Sequence, residues 1–175
     1  MCWPGRRIAA IGLAAAVCCV SAATGAPATP PTLLLPVRGI SSNQLRDSFN
    51  DGRDANHRGH EAIDIPAPSG TPVLAADDGR IVKLFLSKPG GITLYQFDTT
   101  GRFAYYYAHL HRYAAGLNEG QTVRRGTVIG YVGSTGNASP DAPHLHFAIF
   151  RLGPEKQWWK GEPINPFSYL GGRKP

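Results

Sequence analysis

Cysteine is confined to the start of this 175-residue chain, at Cys2, Cys18 and Cys19. Whatever folds beyond them has no disulfide and no thiolate ligand, and depends on its own apolar core. A closed structural zinc site, usually cysteine-rich and four-coordinate, is excluded with it. Long apolar runs are scarce too. Ile8–Val20 falls short of the roughly 20 residues that span a bilayer. It follows Arg6 and Arg7 and precedes the small residues Ser21-Ala22-Ala23. That order is read as a signal peptide over residues 1–23 rather than a retained anchor. The residues before Cys18, Ala15-Ala16-Val17, lack the leucine of a lipobox, which argues against lipidation. Export to the periplasm or cell envelope is therefore expected.

Blocks of one charge are absent as well. The net charge of +6 is spread along the chain. Without a basic stripe interleaved with aromatics, nucleic acid is not an expected partner. Mild basicity in an exported chain suits a polyanionic envelope. No window carries a sustained 3.6-residue apolar stripe, which excludes a helical bundle, and no internal repeat stands out.

Short apolar runs separated by turns are what the chain does have. They cover residues 71–76, 79–86, 91–97, 103–108, 127–132 and 145–150, with Asp-Gly, Pro-Gly-Gly and Thr-Gly between them. This is an all-β signature, an antiparallel sheet or sandwich. Helix is expected only as a short turn near 42–49 or 110–115. Residues 24–37 read as a Pro-rich linker and entry strand, and 38–175 as one domain. Residues 38–59 read as irregular, and the tail from 151 as a loop packed on the sheet. Asp77-Asp78 before Gly79 reads as a hairpin turn.

Four residues could converge on a metal: His60, Asp64, His144 and His146. Zinc takes imidazole nitrogen and carboxylate oxygen, and a catalytic site uses three protein ligands with one position open. The helical H-E-x-x-H arrangement is missing, and Asp64-Ile65-Pro66-Ala67-Pro68 is hostile to helix. On extended strands, residues 60 and 64 share a face, as do 144 and 146. The metal is therefore expected on a sheet surface, in an open groove. Glu61 would point to the opposite face. His57 and His111 read as surface residues. Tyr105-Tyr106-Tyr107 reads as partly core, with one ring left to wall the groove, and Arg53 and Asn56 as possible substrate contacts.

The chain resembles the lysostaphin-like (β-lytic) zinc metallopeptidases, a group of peptidoglycan endopeptidases. The resemblance runs through His60-x-x-x-Asp64-Ile65-x-Ala67-Pro68-x-Gly70-Thr71-Pro72-Val73, Tyr107-Ala108-His109-Leu110, Ile129-Gly130-x-Val132-Gly133-x-Thr135-Gly136 and Pro143-His144-Leu145-His146-Phe147. It covers roughly residues 38–170. It implies that His60, Asp64 and His146 bind one zinc ion, with His109 and His144 as catalytic histidines beside a zinc-activated water. The substrate implied is peptidoglycan, cut in its stems or cross-links by an exported monomer. An envelope regulatory partner is possible, because no wall-binding repeat is visible. Many members carry glycine where this chain has Ala62, which matters only if φ is positive there. Degenerate relatives act instead as non-catalytic envelope modules that bind peptidoglycan or activate an amidase. The complete residue set here argues for the enzyme.

Overall fold

The structure, a computed structural model, describes residues 29–53 and 58–171. The leader, Asn56 and His57 lie outside the described residues, and of Arg53 and Arg58 only the backbone is described. Alternating β-branched and aromatic residues form the expected all-β domain. β1 (Gly52–Arg53) and β2 (Arg58–Gly59) make a small separate ribbon. The main sheet contains β3 (Ile63–Pro66), β4 (Pro72–Leu74), β5 (Gly79–Ser87), β6 (Gly91–Asp98), β7 (Phe103–Tyr113), β8 (Thr122–Val123), β9 (Val128–Val132), β10 (His144–Leu152) and β11 (Gly161–Ile164). Its order is β11-β10-β7-β6-β5-β8, with β3 beside β10, and β9 between β4 and β7. Every pairing is antiparallel.

Alternation sends one set of side chains into the core. Ile63, Ile65, Val73, Ile81, Leu94, Tyr105, Tyr107, Leu145, Phe147 and Ile149 are fully buried there. Tyr107 also carries polar order inward. Its hydroxyl accepts the Ala76 N–H at 2.9 Å and donates to Gln96 Oε1 at 2.8 Å. The Gln96 amide in turn donates to the Asp77 carbonyl at 2.7 Å. Buried polar groups are thus paired rather than orphaned.

Several local expectations need correction. Residues 110–113 are strand, not a helical turn, because β9 pairs with them. The turn near 42–49 does form, as a 3-10 turn over Ser42–Gln44. Asp77-Asp78 is no hairpin turn: β4 pairs with β9 and β5 with β6, so the two acidic residues join strands with different partners. The tail contributes β11 and a 3-10 turn at Phe167–Leu170, so it is more ordered than a loop. Upstream, Leu33 and Val37 are buried. Val37 bridges to Val73, and the Leu33 N–H donates to the Tyr169 carbonyl at 2.8 Å, tying the two ends of the described chain together.

Candidate metal centre

β10 is the spine of the site. His146 lies opposite Asp64 of β3 on one side and Ala108 of β7 on the other. Partners opposite one another share a face, so Asp64 and His146 meet by register alone. His144 shares their face by the period of two.

His60 arrives differently. It precedes β3 and is not on one strand with Asp64, because Glu61 adopts φ 55°, in the left-handed region. Such a backbone costs a non-glycine residue roughly 1–3 kcal/mol and persists only where its surroundings enforce it. The His60 N–H is held by the Asp51 carbonyl and the Glu61 N–H by Phe49, each at 2.9 Å. Glu61 is exposed and off the strand. Ala62 is buried and has no positive φ, so alanine fits here without backbone strain.

Three donor atoms converge. His60 Nε2 is 3.1 Å from Asp64 Oδ1 and 3.0 Å from His146 Nδ1, which is itself 3.0 Å from Asp64 Oδ1. His60 Nδ1 lies 2.8 Å from the Ser48 carbonyl, which can only accept, so Nδ1 carries the hydrogen. A neutral His60 then offers only a lone pair at Nε2, and that lone pair faces a carboxylate oxygen and another imidazole. A shared cation satisfies all three donors. Around tetrahedral zinc at about 2.0–2.1 Å, donors stand roughly 3.3 Å apart, close to the triangle seen here. Burial pushes the Asp64 carboxyl upward, but hydrogen bonds and charge from His146 and His60 outweigh it and hold the group well below the usual carboxylate range.

His109 owes its place to a bulge. Tyr107 and Leu110 both face the core, although three positions apart. The β6 register shifts between Ile92, opposite Leu110, and Leu94, opposite Tyr107. His109 takes up the extra residue with φ 58°. At the same point β7 passes from pairing with β10 to pairing with β9. The imidazole therefore turns to the site, with its ring 4.9 Å from that of His144 and 5.6 Å from that of His146. Burial pushes it down to about 4, against the opposing bond to the Thr135 carbonyl, so it is neutral near pH 7.

His109 and His144 are anchored in the same way as His60. Each has Nδ1 2.8 Å from a backbone carbonyl, Thr135 and Ala142 respectively, which leaves Nε2 as the nitrogen not held by the backbone. His146 differs, since its Nδ1 belongs to the triangle. His144 Nε2 stands further out, 3.7 Å from Asp64 Oδ1. His111 is exposed, and Tyr106 is the ring of its trio that faces the site, edge-on to His146 at 5.9 Å.

Two residues had no role in the sequence reading. Ser48 is buried; its carbonyl holds His60 and its hydroxyl accepts the Asp64 N–H at 3.2 Å. Nothing in its loop sequence marks it. Thr135 accepts the Ile92 N–H at 3.0 Å and donates to the Leu110 carbonyl at 2.8 Å, so its hydroxyl sits between two strands at the bulge. The next residue approaches so closely that a side chain at Gly136 would run into the Pro89 carbonyl. Thr135 lies within the family pattern, a signal of importance without a role. Thr135→Val, which keeps the shape and removes the hydroxyl, is expected to cost about 1–3 kcal/mol by orphaning those two groups. Urea unfolding measures it, and Thr135→Ser should recover most of the loss. A valine variant as stable as the parent would mean the strands re-pair without the hydroxyl.

Solved structures with this architecture are peptidase domains. The catalytic domain of lysostaphin from Staphylococcus simulans aligns with TM-score 0.60 and 27% identity, covering 75% of this chain and 96% of that one. Csd3 from Helicobacter pylori aligns with TM-score 0.61 and 28% identity over 83% of this chain and 34% of that one. Residues 58–166 match Peptidase family M23, and the chain belongs to that family. Among its relatives, an L-Ala–D-Glu endopeptidase of Bacillus subtilis is 32% identical over 142 residues, 78% of this chain and 41% of the relative. The DD-carboxypeptidase/endopeptidase Mpg of Neisseria meningitidis is 38% identical over 110 residues, 62% of this chain and 22% of the relative. The chain thus spans less than half the length of either.

Proposed function

We propose that this chain is an exported zinc-dependent endopeptidase that hydrolyses peptide bonds in the stems or cross-links of bacterial peptidoglycan. One observation carries the reading: the triangle of His60 Nε2, Asp64 Oδ1 and His146 Nδ1, with the rings of His109 and His144 beside it. The peptidoglycan endopeptidases among the relatives support the substrate class. Export rests on the leader read in residues 1–23.

His60, Asp64 and His146 would hold the ion. Zinc supplies a Lewis acid for the scissile carbonyl and lowers the pKa of a water to about 7. The remaining work falls to two imidazoles. With Nδ1 committed to backbone carbonyls, His109 and His144 exchange protons at Nε2. Between them they take up the proton of the attacking water, hydrogen-bond the developing oxyanion and protonate the leaving amine. Help of this kind is worth about 10²–10⁴-fold. The backbone anchors keep each ring in one tautomer, so no reorganisation is needed when the proton moves.

The test is elemental analysis of the purified chain together with release of new amine termini from purified peptidoglycan, with and without a chelator. One zinc per chain and chelator-sensitive release are expected. Absent zinc and absent cleavage, even after metal is restored, would replace the enzyme with a non-catalytic module that binds peptidoglycan or activates an amidase.

A further inference from the structure

Aromatic rings continue from the metal centre across the same face of the sheet. Tyr106, edge-on to His146, lies beside Tyr95 at 4.6 Å, and Tyr95 lies 4.9 Å from Trp158. Trp158 then meets Phe85 at 5.5 Å and Trp159 at 5.2 Å, the two indoles standing 77° to one another. Register explains the row. Tyr106 is opposite Tyr95, Tyr95 opposite Lys83, and Phe85 follows two residues after Lys83, so all project from the site face. Trp158 comes from the connection between β10 and β11, yet it packs on β5 and β6, so that connection folds back over the sheet. At the outer end, Phe85 and Trp159 are 40% and 62% exposed. Large apolar side chains left in water together mark a binding surface.

We propose that Tyr95, Trp158 and Trp159 form a stacking platform for the amino-sugar strand of peptidoglycan, placed so that the attached peptide reaches the His60–Asp64–His146 centre. The inference rests on the peptidoglycan reading and deepens it. A pyranose ring has an apolar C–H face and a rim of hydroxyls, and the electron-rich face of an indole attracts polarised C–H groups. Two indoles at a steep angle form a corner that contacts one sugar on its face and on its edge. Ring by ring, Tyr95 lies no more than about 10.5 Å from His146, Trp158 no more than about 15 Å and Trp159 no more than about 21 Å, the reach of about three to six extended residues at 3.3–3.6 Å each. A short stem peptide spans that distance.

Other occupants fit less well. Burying this patch in a bilayer would press the site face against the lipid and close the groove. A second copy of the chain would need about 800 Å² from each partner. Three partly exposed side chains offer less, since a whole aromatic side chain buries only about 150–250 Å².

The test compares the full chain with Trp159→Ala, Trp158→Ala and Trp159→Phe. The first readout needs no hydrolysis. Two of the three tryptophans of the chain sit on the platform, so soluble N-acetylglucosamine oligosaccharide should shift intrinsic fluorescence. The shift should survive in His146→Ala, weaken in Trp159→Ala and be partly restored in Trp159→Phe. The second readout is the ratio of kcat/KM on intact peptidoglycan to that on glycan-free stem peptide, expected to fall about tenfold in Trp159→Ala. A merely structural role would lower both values and leave the ratio unchanged, which overturns the proposal. So would an absent oligosaccharide response, or a response only to anionic phospholipid vesicles, or one that follows dimer formation in sedimentation. Oligosaccharide binding without any hydrolysis would leave the platform standing and remove the peptidase.

Discussion

His146→Ala is expected to lose zinc and hydrolysis together. The substitution deletes one corner of the donor triangle, whose other two corners, His60 Nε2 and Asp64 Oδ1, stay 3.1 Å apart. Two donors are too few for a site that holds zinc by three protein ligands. Losing a partner that only orients a ligand already costs about 10–100-fold in affinity, so losing a ligand should cost more than about 100-fold. The fold should survive, because β10 is held to β3 and β7 by backbone pairing at this position. Elemental analysis, circular dichroism and release of amine termini measure the three quantities. A folded His146→Ala protein with full zinc content would remove His146 from the ligand set.

His144→Ala should separate the two properties. Its nearest approach to the triangle is the 3.7 Å from Nε2 to Asp64 Oδ1, and its Nδ1 is committed to the Ala142 carbonyl. Zinc content should therefore stay at the level of the parent. Turnover should fall by about 10²–10⁴-fold, the usual worth of a positioned acid or base. The fall belongs in kcat, since the group acts on protons in transit rather than on substrate at rest. Hydrolysis of peptidoglycan at the parent rate would refute a catalytic role, and loss of zinc would make His144 a ligand instead. The contrast between two histidines two residues apart is sharp because both face the site and only one enters the triangle.

Much of this centre was legible beforehand. Period-two alternation in His144-Leu145-His146-Phe147 placed both histidines on one face, as observed, and the structure buries Leu145 and Phe147 on the other. The runs that read as strands became β4, β5, β6, β7, β9 and β10. For His60 and Asp64 the expected convergence is present but its cause is different. Alternation along one strand does not bring them together; the φ 55° of Glu61 does, with the carbonyls of Phe49 and Asp51 holding the backbone there. For His109, strict alternation from Tyr107 would have sent the ring into the core. Only the bulge turns it to the site, and no local propensity encodes a bulge that Thr135 holds from another part of the chain. Ser48 was invisible for the same reason, since a serine in a polar loop has no neighbour in sequence that reveals its hold on His60 and Asp64.

By itself the sequence determined the class of fold and the chemistry that the residues can perform. Alternation, turn residues and donor types are local properties, set by pleat geometry and by the atoms that each side chain carries. Tertiary structure decided which nitrogen of His60 and of His109 points to the site, because that depends on the carbonyls of Ser48 and Thr135 brought from elsewhere, whereas His144 is anchored by the carbonyl of Ala142, two residues away. It decided that His109 faces the site, because β7 changes partner at that residue. It also carried Trp158 over the sheet to meet Tyr95. These are contacts between distant segments, and their energies exist only once the chain has closed on itself.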